Sequence, residues 1–140
     1  MISYQRCKDL THSAGFTSDN MRTYYEYHSV DWDRDAIEAQ ITHLENWDIL
    51  LDGETVGAIR LEYDDDGCQI RDIQVSHNHQ NKGIGAIAIE ECKRMAKTAC
   101  ASTLRLRVFK ISPAYNLYIR TGFEVTSEDE KFYFMAHDLV

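Results

Sequence analysis

The chain has 140 residues, of which 44% are hydrophobic and 27% charged, with one proline and seven glycines. These values fit one globular domain over residues 1–140, and they exclude a low-complexity linker or a pair of nucleotide-binding halves. A net charge of −8 argues against nucleic acid as a partner, and no apolar run approaches the length of a membrane span.

Alternation of Ile2, Tyr4 and Arg6 with polar neighbours predicts a first strand. From Leu10 to His28 the pattern is helical in two short pieces, with Thr17-Ser18-Asp19-Asn20 offering N-caps for the second. After Asp31-Trp32-Asp33 a helix is expected from about Arg34 to Leu44, with Ala36, Ile37, Ile41 and Leu44 on one stripe. Trp47–Leu51 and Thr55–Tyr63 read as strands joined at Asp52-Gly53, residues that tolerate the positive φ of a tight hairpin. Asp64-Asp65-Asp66-Gly67 turns the chain into a strand from Cys68 to Val75, completing an antiparallel meander. Ile84, Ile87, Ala88, Glu91, Cys92, Met95, Ala96 and Ala99 recur at i, i+3, i+4 and predict a helix packed on the sheet. Thr103–Phe109 follows as a strand, parallel to the one before that helix. Ser112-Pro113 opens a short helix as N-cap and first helical residue, and Gly122 ends it. Phe123–Ser127 and Lys131–Leu139 close the chain as a strand pair. The sum is an α/β (α+β) fold, a mixed sheet with helices on its faces.

Charge is unevenly spread. Residues 76–120 carry +6 and the remainder −14. The basic segment suits an anionic cofactor. The acidic remainder would attract a cationic second ligand or is a set of solvated faces. Cys7, Cys68, Cys92 and Cys100 show no metal-like spacing and read as free thiols in a reducing compartment. His77 and His79 form H-x-H with no third ligand in view, so they read as solvated loop histidines and no metal is expected. The N-terminal MISYQRCKDL has no apolar signal core, which points to the cytoplasm.

A strand ending IRDIQV leads into the basic segment, which begins with a loop SHNHQNKGIG and a helix AIAIEECKRMAKTA. A glycine-containing loop that leaves a strand and opens a helix is suited to phosphate. Its N–H groups converge without side chains in the way, and the helix N-terminus adds partial positive charge. Gly83-x-Gly85-x-x-Ala88 fits the loosest dinucleotide fingerprint, but the next strand, LRLRVF, lacks the acid that would hold a ribose. No GxxxxGK[ST] is present, which excludes a P-loop.

Gln80-Asn81-Lys82-Gly83-Ile84-Gly85 resembles the [Q/R]-x-x-G-x-[G/A] pyrophosphate loop of the GNAT N-acetyltransferase superfamily. Ala114-x-x-x-Tyr118-x-x-x-Gly122-Phe123 is similar to the A-x-x-x-Y-x-x-x-G-F segment of that family, and Phe132-Tyr133-Phe134-Met135 to its closing strand. The resemblance covers residues 45–137. Met21-Arg22-x-Tyr24 and Asp31-Trp32-Asp33 resemble one bacterial branch. It implies a mostly antiparallel sheet whose central parallel pair is splayed for CoA. Backbone groups of Ile73 and Val75, with Gln74 between them, would pair with the pantetheine arm. Amides of Gln80, Asn81, Lys82, Gly83, Ile84, Gly85 and Ala86 would hold the pyrophosphate. Ser112 and Ala114 lie where the family also meets the cofactor, although many members have Asn in place of Ile111-Ser112; Ser112 fits a helix cap better.

The same resemblance places Tyr118 at the general-acid position. A phenol with an ordinary pKa near 10 is protonated at neutral pH and can donate to a leaving thiolate; by periodicity alone Tyr118 is a core aromatic against Phe123. The base departs from the family pattern. Gln69, Arg71, Ile73 and Val75 share one strand face and none is a base, while Asp72 points the other way. Glu62 acting through a water, or a water chain alone, remains for that role. Tyr24, Tyr25, Tyr27 and Trp32 line an acceptor pocket or belong to the core. Asp31, Asp33, Asp35 and Glu38 attract an amine or form a solvated helix start. The expected function is direct acetyl transfer from acetyl-CoA, as co-substrate, to a small-molecule or peptide primary amine. The alternative is a non-catalytic acyl-CoA-binding module. Acceptor and oligomeric state are open, a homodimer through the closing strands included.

Overall fold

The computed structural model describes residues 1–29 and 33–140, so the expected roles of Asp31 and Trp32 lie outside the described residues. In chain order the elements are β1 (Ile2–Arg6), α1 (Leu10–Tyr27), α2 (Arg34–Ile41), β2 (Glu45–Leu51), β3 (Glu54–Asp64) and β4 (Gly67–Val75). After a 3-10 turn at His77–His79 come α3 (Ile84–Thr98), β5 (Thr103–Phe109), α4 (Ala114–Arg120), β6 (Glu124–Glu128) and β7 (Phe132–Asp138). The strands form one mixed, mostly antiparallel sheet in the order β1-β2-β3-β4-β5-β7-β6. Its parallel pair is β4–β5, with Cys68 opposite Leu104 and Ile70 opposite Leu106. No helix among the described residues is long and apolar enough to cross a membrane.

The chain divides into two compact units, residues 1–60 with 72–85 and residues 61–71 with 86–140. In the first unit, Asp52 (φ +52°) and Gly53 (φ +86°) supply the left-handed pair that the β2–β3 hairpin requires. The stretch expected as two helical pieces is one helix, α1, capped by Asp9, whose side chain accepts the His12 N–H at 3.1 Å. Thr17 and Ser18 are buried in its interior rather than capping a second helix. The hydroxyls of Thr17 and of Ser13, one turn before it, meet a buried charge. Arg60 of β3 is fully buried. Its Nη1 donates to Thr17 Oγ1 (2.9 Å) and Asp72 Oδ2 (2.8 Å), and its Nη2 to the Ser13 carbonyl (2.7 Å) and hydroxyl (2.9 Å). A second local difference is the end of α2. It stops at Ile41 rather than Leu44, because Asn46 Nδ2 takes the Ile41 and Leu44 carbonyls and Thr42 Oγ1 takes that of Glu38. Leu44 still packs, with Leu10 and Tyr25, on the Ala14, Ile37 and Ile41 cluster.

In the second unit β5 pairs with β7 along its whole length, from Thr103 opposite Asp138 to Phe109 opposite Phe132. The exposed edge strand β6 carries an irregularity between Val125 and Ser127, which blunts edge-to-edge pairing. The buried face of α3 holds Ala88, Ile89, Cys92, Met95 and Ala96. Ile87, expected on that stripe, is 48% exposed, and Ile89 takes its place. Ala99 is exposed beyond the helix end. Cys68 and Cys92 are buried, Cys7 is half-buried and Cys100 exposed, all as free thiols.

Gly57 of β3 marks the tightest approach in the first unit. A Cβ there would stand 2.2 Å from the Gln74 carbonyl oxygen, backbone that cannot swing aside. Gly57→Ala is expected to lower stability by about 3 kcal/mol, read as a shift in the denaturant midpoint; an unchanged midpoint would show that β3 and β4 part freely here.

Candidate functional site

In a strand the N–H and C=O of one residue share a side, and successive residues alternate. The Ser76 N–H donates to the Val56 carbonyl at 2.7 Å, and the Gln74 carbonyl lies against Gly57. Those groups face β3, so the backbone groups of Ile73 and Val75 face away from it, the side on which an extended ligand could add. One of them is engaged. The Val75 carbonyl accepts Asn20 Nδ2 at 2.8 Å and Gln80 Nε2 at 3.0 Å. Gln80 therefore turns its side chain back onto the strand and ties the loop to it. Gln74 is buried, with its amide on Asp72 Oδ1 at 2.7 Å.

Beyond β4 the 3-10 turn is pinned by Ser76 Oγ against His79 Nδ1 (2.7 Å) and by the His79 N–H on the Ser76 carbonyl (2.9 Å). This uses His79 as a structural partner. His77 is exposed, and among the described residues no cluster of His, Cys, Asp or Glu is arranged to hold a metal. Asn81 (φ +62°) and Gly83 (φ +82°) are left-handed, with Lys82 between them. Such alternation gathers successive N–H groups into an anion-holding concavity. Asn81, Lys82 and Gly83 are exposed, and a Cβ built on Gly83 meets nothing within 4 Å. Ile84 is buried and anchors the start of α3, with Gly85 and Ala86 half-exposed behind it. No acid stands in the first turn of α3, which leaves its N-terminal field to an outside anion.

The remaining expected site residues lie in the second unit. Tyr118 is half-buried on α4, with its ring edge-on to Phe123 at 5.8 Å. The turn after α4 is firmly held. Gly122 has φ +100°, Lys93 Nζ donates to the Thr121 carbonyl at 2.5 Å, and His137 Nδ1 meets the Gly122 carbonyl at 3.0 Å. The Phe123 N–H returns to the Tyr118 carbonyl at 3.0 Å. Pro113 is already helical (φ −65°, ψ −15°), and Ser112 Oγ accepts the Ala114 N–H at 3.2 Å, so the serine hydroxyl serves the helix start. Glu62 is ion-paired with Arg71 at 2.9 Å.

Other candidates divide between frame and surface. Tyr25 packs on the first unit's core cluster, and Tyr27 is 70% exposed. Asp33 caps α2 through the Ala36 N–H at 2.9 Å, and Glu38 accepts from Thr11 Oγ1 at 2.9 Å. Of the residues that hold the end of β4, Thr17 and Asn20 read in the sequence as helix caps and Arg60 carried no motif. The only local hint was an arginine inside the apolar run VGAIRLEY.

A family model described as the acetyltransferase (GNAT) family matches residues 13–123. No curated protein matches the chain. Among solved structures, the PaiA N-acetyltransferase of Thermoplasma acidophilum in complex with coenzyme A is 15% identical, with TM-score 0.82 and 99% of each chain covered. The Escherichia coli ribosomal-protein-S18-alanine N-acetyltransferase is 17% identical with TM-score 0.75, covering 99% of this chain and 94% of that one. A GNAT family acetyltransferase from Elizabethkingia anophelis with acetyl-CoA bound is 17% identical with TM-score 0.73, covering 98% and 97%. At these identities the likeness is one of fold.

Because the space around Gly83 is open, only backbone strain opposes a side chain there. Gly83→Ala is expected to cost about 1 kcal/mol, well below the loss for Gly57→Ala in the same denaturant titration. An equal loss would mean that the loop is packed rather than open.

Proposed function

The chain belongs to the GNAT acetyltransferase family, and on that premise we propose that it transfers an acetyl group from acetyl-CoA directly to a primary amine. The observation that carries this reading is the loop from Asn81 to Ala86, since the Gln80 N–H, expected to join it, is already on the His77 carbonyl at 3.4 Å. The loop follows β4, turns through left-handed Asn81 and Gly83 in open space, and enters a helix with no acid in its first turn. That arrangement fits a pyrophosphate by its N–H groups and its field. Relatives in fold that are described with coenzyme A or acetyl-CoA bound support the same ligand.

Acetyl-CoA supplies an activated thioester, and the chain has to orient it, take a proton from the amine and return one to the thiolate. Tyr118 is the proton donor in this reading, since a phenol holds its proton at neutral pH and a thiolate is its natural acceptor. Glu62 receives the amine's proton through water, with Arg71 fixing its carboxylate. Transfer is direct. Cys68 and Cys92 are buried, and burial pushes the Cys92 thiol far up, so neither offers a thiolate nucleophile. A chain of net charge −8 draws a cationic amine toward it.

The second reading, a CoA-binding module without transfer, is favoured by one observation. The carboxylate available as base is already held by a guanidinium.

Release of free thiol from acetyl-CoA, measured against a panel of amines, separates the two readings. Release with one amine class above hydrolysis is expected; binding without release for any amine favours the module. Tyr118→Phe is expected to lower kcat by about a hundredfold with acetyl-CoA affinity unchanged, and full activity would remove Tyr118 from the proton path. Gly85→Trp is expected to abolish calorimetric acetyl-CoA binding while the melting transition stays cooperative; wild-type affinity in that variant would move the pyrophosphate elsewhere.

A further inference from the structure

A line of side-chain hydrogen bonds runs from the buried Arg60 to the end of β4, entirely within the first unit. Ser13, Thr17 and Asn20 stand at i, i+4 and i+7 on one stripe of α1. Ser13 and Thr17 meet Arg60 directly, and Thr17 Oγ1 also donates to Asp72 Oδ2 at 2.5 Å. Asp72 passes the constraint on. Its Oδ1 accepts Gln74 Nε2 at 2.7 Å, Gln74 Oε1 accepts Asn20 Nδ2 at 3.0 Å, and the same Asn20 amide donates to the Val75 carbonyl at 2.8 Å. The direction of every link is forced. A carboxylate only accepts, so Gln74 turns its NH2 to Asp72 and its oxygen to Asn20, which must answer with its own NH2. Gln80 completes the Val75 carbonyl from the loop side.

We propose that Asn20 is a positioning residue for the anion-holding loop. It sets the orientation of the Val75 carbonyl from a fixed buried charge. With Gln80 it fills both lone pairs of that oxygen. A ligand lying along the far side of β4 then finds the Val75 N–H and the Ile73 groups, not the Val75 carbonyl, and the loop departs from a strand end that does not swing. The proposal rests on the acetyl-CoA reading for its ligand, while the positioning itself can be observed without one.

A simple packing contact between helix and strand makes a different forecast. Asparagine and aspartate have nearly the same shape, so Asn20→Asp would then be milder than Asn20→Ala. If Asn20 acts as a donor, the order does not favour Asp. A carboxylate oxygen would face two acceptors, Gln74 Oε1 and the Val75 carbonyl. Asn20 is only half-buried, so both variants leave the core intact.

The experiment combines calorimetry with acetyl-CoA, well below the melting temperature, and hydrogen exchange of the ligand-free protein. The exchange probes are the hydrogen-bonded Ser76, His79 and Gln80 amides. In both variants Kd is expected to rise about tenfold and these amides to exchange about tenfold faster, with β1–β2 amides unchanged and Asp no milder than Ala. Unchanged exchange, unchanged affinity beside a wild type that binds, or recovery by Asp of what Ala loses would each overturn the proposal. A wild type that does not bind acetyl-CoA would defeat the functional reading instead. Exchange would then decide alone, faster probe amides in both variants sustaining the positioning role and unchanged ones ending it.

Discussion

The guanidinium of Arg60 is the constraint on which the first unit turns. A cation removed from water must be met by hydrogen-bonding partners on nearly every donor. At Arg60 they come from α1 and from β4, two elements far apart in sequence. Helix and strands are therefore tied by directional bonds, while the apolar contacts of Ala14, Ile37 and Ile41 join α1 to α2. Breaking one side of such a pair costs about 3–5 kcal/mol because the other charge is left buried. The Asp72 carboxylate, fixed at one oxygen by this charge, holds Gln74 with the other, and so the end of β4 inherits its geometry from the core.

The loop that follows works on the opposite principle. Its central residues are exposed, and its shape comes from backbone conformation. Asn81 and Gly83 occupy the left-handed region, which asparagine tolerates and glycine enters freely. The turn leading into it is closed by Ser76 and His79, and its far end is anchored by the buried Ile84. A frame held at both ends with exposed residues between them suits the proposed anion, which would not have to rearrange the loop. The second unit fixes Tyr118 by similar means, through Gly122, Lys93 and His137 at the turn behind it.

What could be read from the sequence follows the range of the interaction responsible. The Asp52-Gly53 hairpin, the strand Thr103–Phe109 and the glycine loop rest on local backbone preferences, and all three lie where the residues placed them. The acetyltransferase family was legible for the same reason, since its loop and the Tyr118 segment are contiguous stretches. The break expected inside α1 was not there. Thr17-Ser18-Asp19-Asn20 has the composition of a cap, and only Arg60, 43 positions away from Thr17, shows that the Thr17 hydroxyl meets a buried charge instead. Ile87 and Ile89 were exchanged on α3 because both fit an apolar stripe, and which is buried depends on the sheet beneath. The links through Asn20 and Asp72 span 54 and 55 positions to their partners and leave no local trace.

Stability alone does not account for the Arg60 cluster. Apolar side chains of similar volume in place of a buried ion pair are often neutral or stabilising. Here the cluster is also incompletely satisfied, with Arg60 Nε lacking a hydrogen-bond partner among the described residues. Register is the better explanation. Side chains alternate along a strand, so a slip of β4 by one residue would turn Asp72 and Gln74 to the opposite face and bring Arg71 and Ile73 toward Arg60. An apolar core would tolerate part of that slip, since Ile73 could stand in for a neighbour. A buried arginine facing a second arginine could not. The cluster therefore makes one register of β4 far better than its alternatives. The backbone groups of Ile73 and Val75 and the loop beyond them then stand in one fixed place along the strand, which a ligand gripped at both the strand and the loop requires.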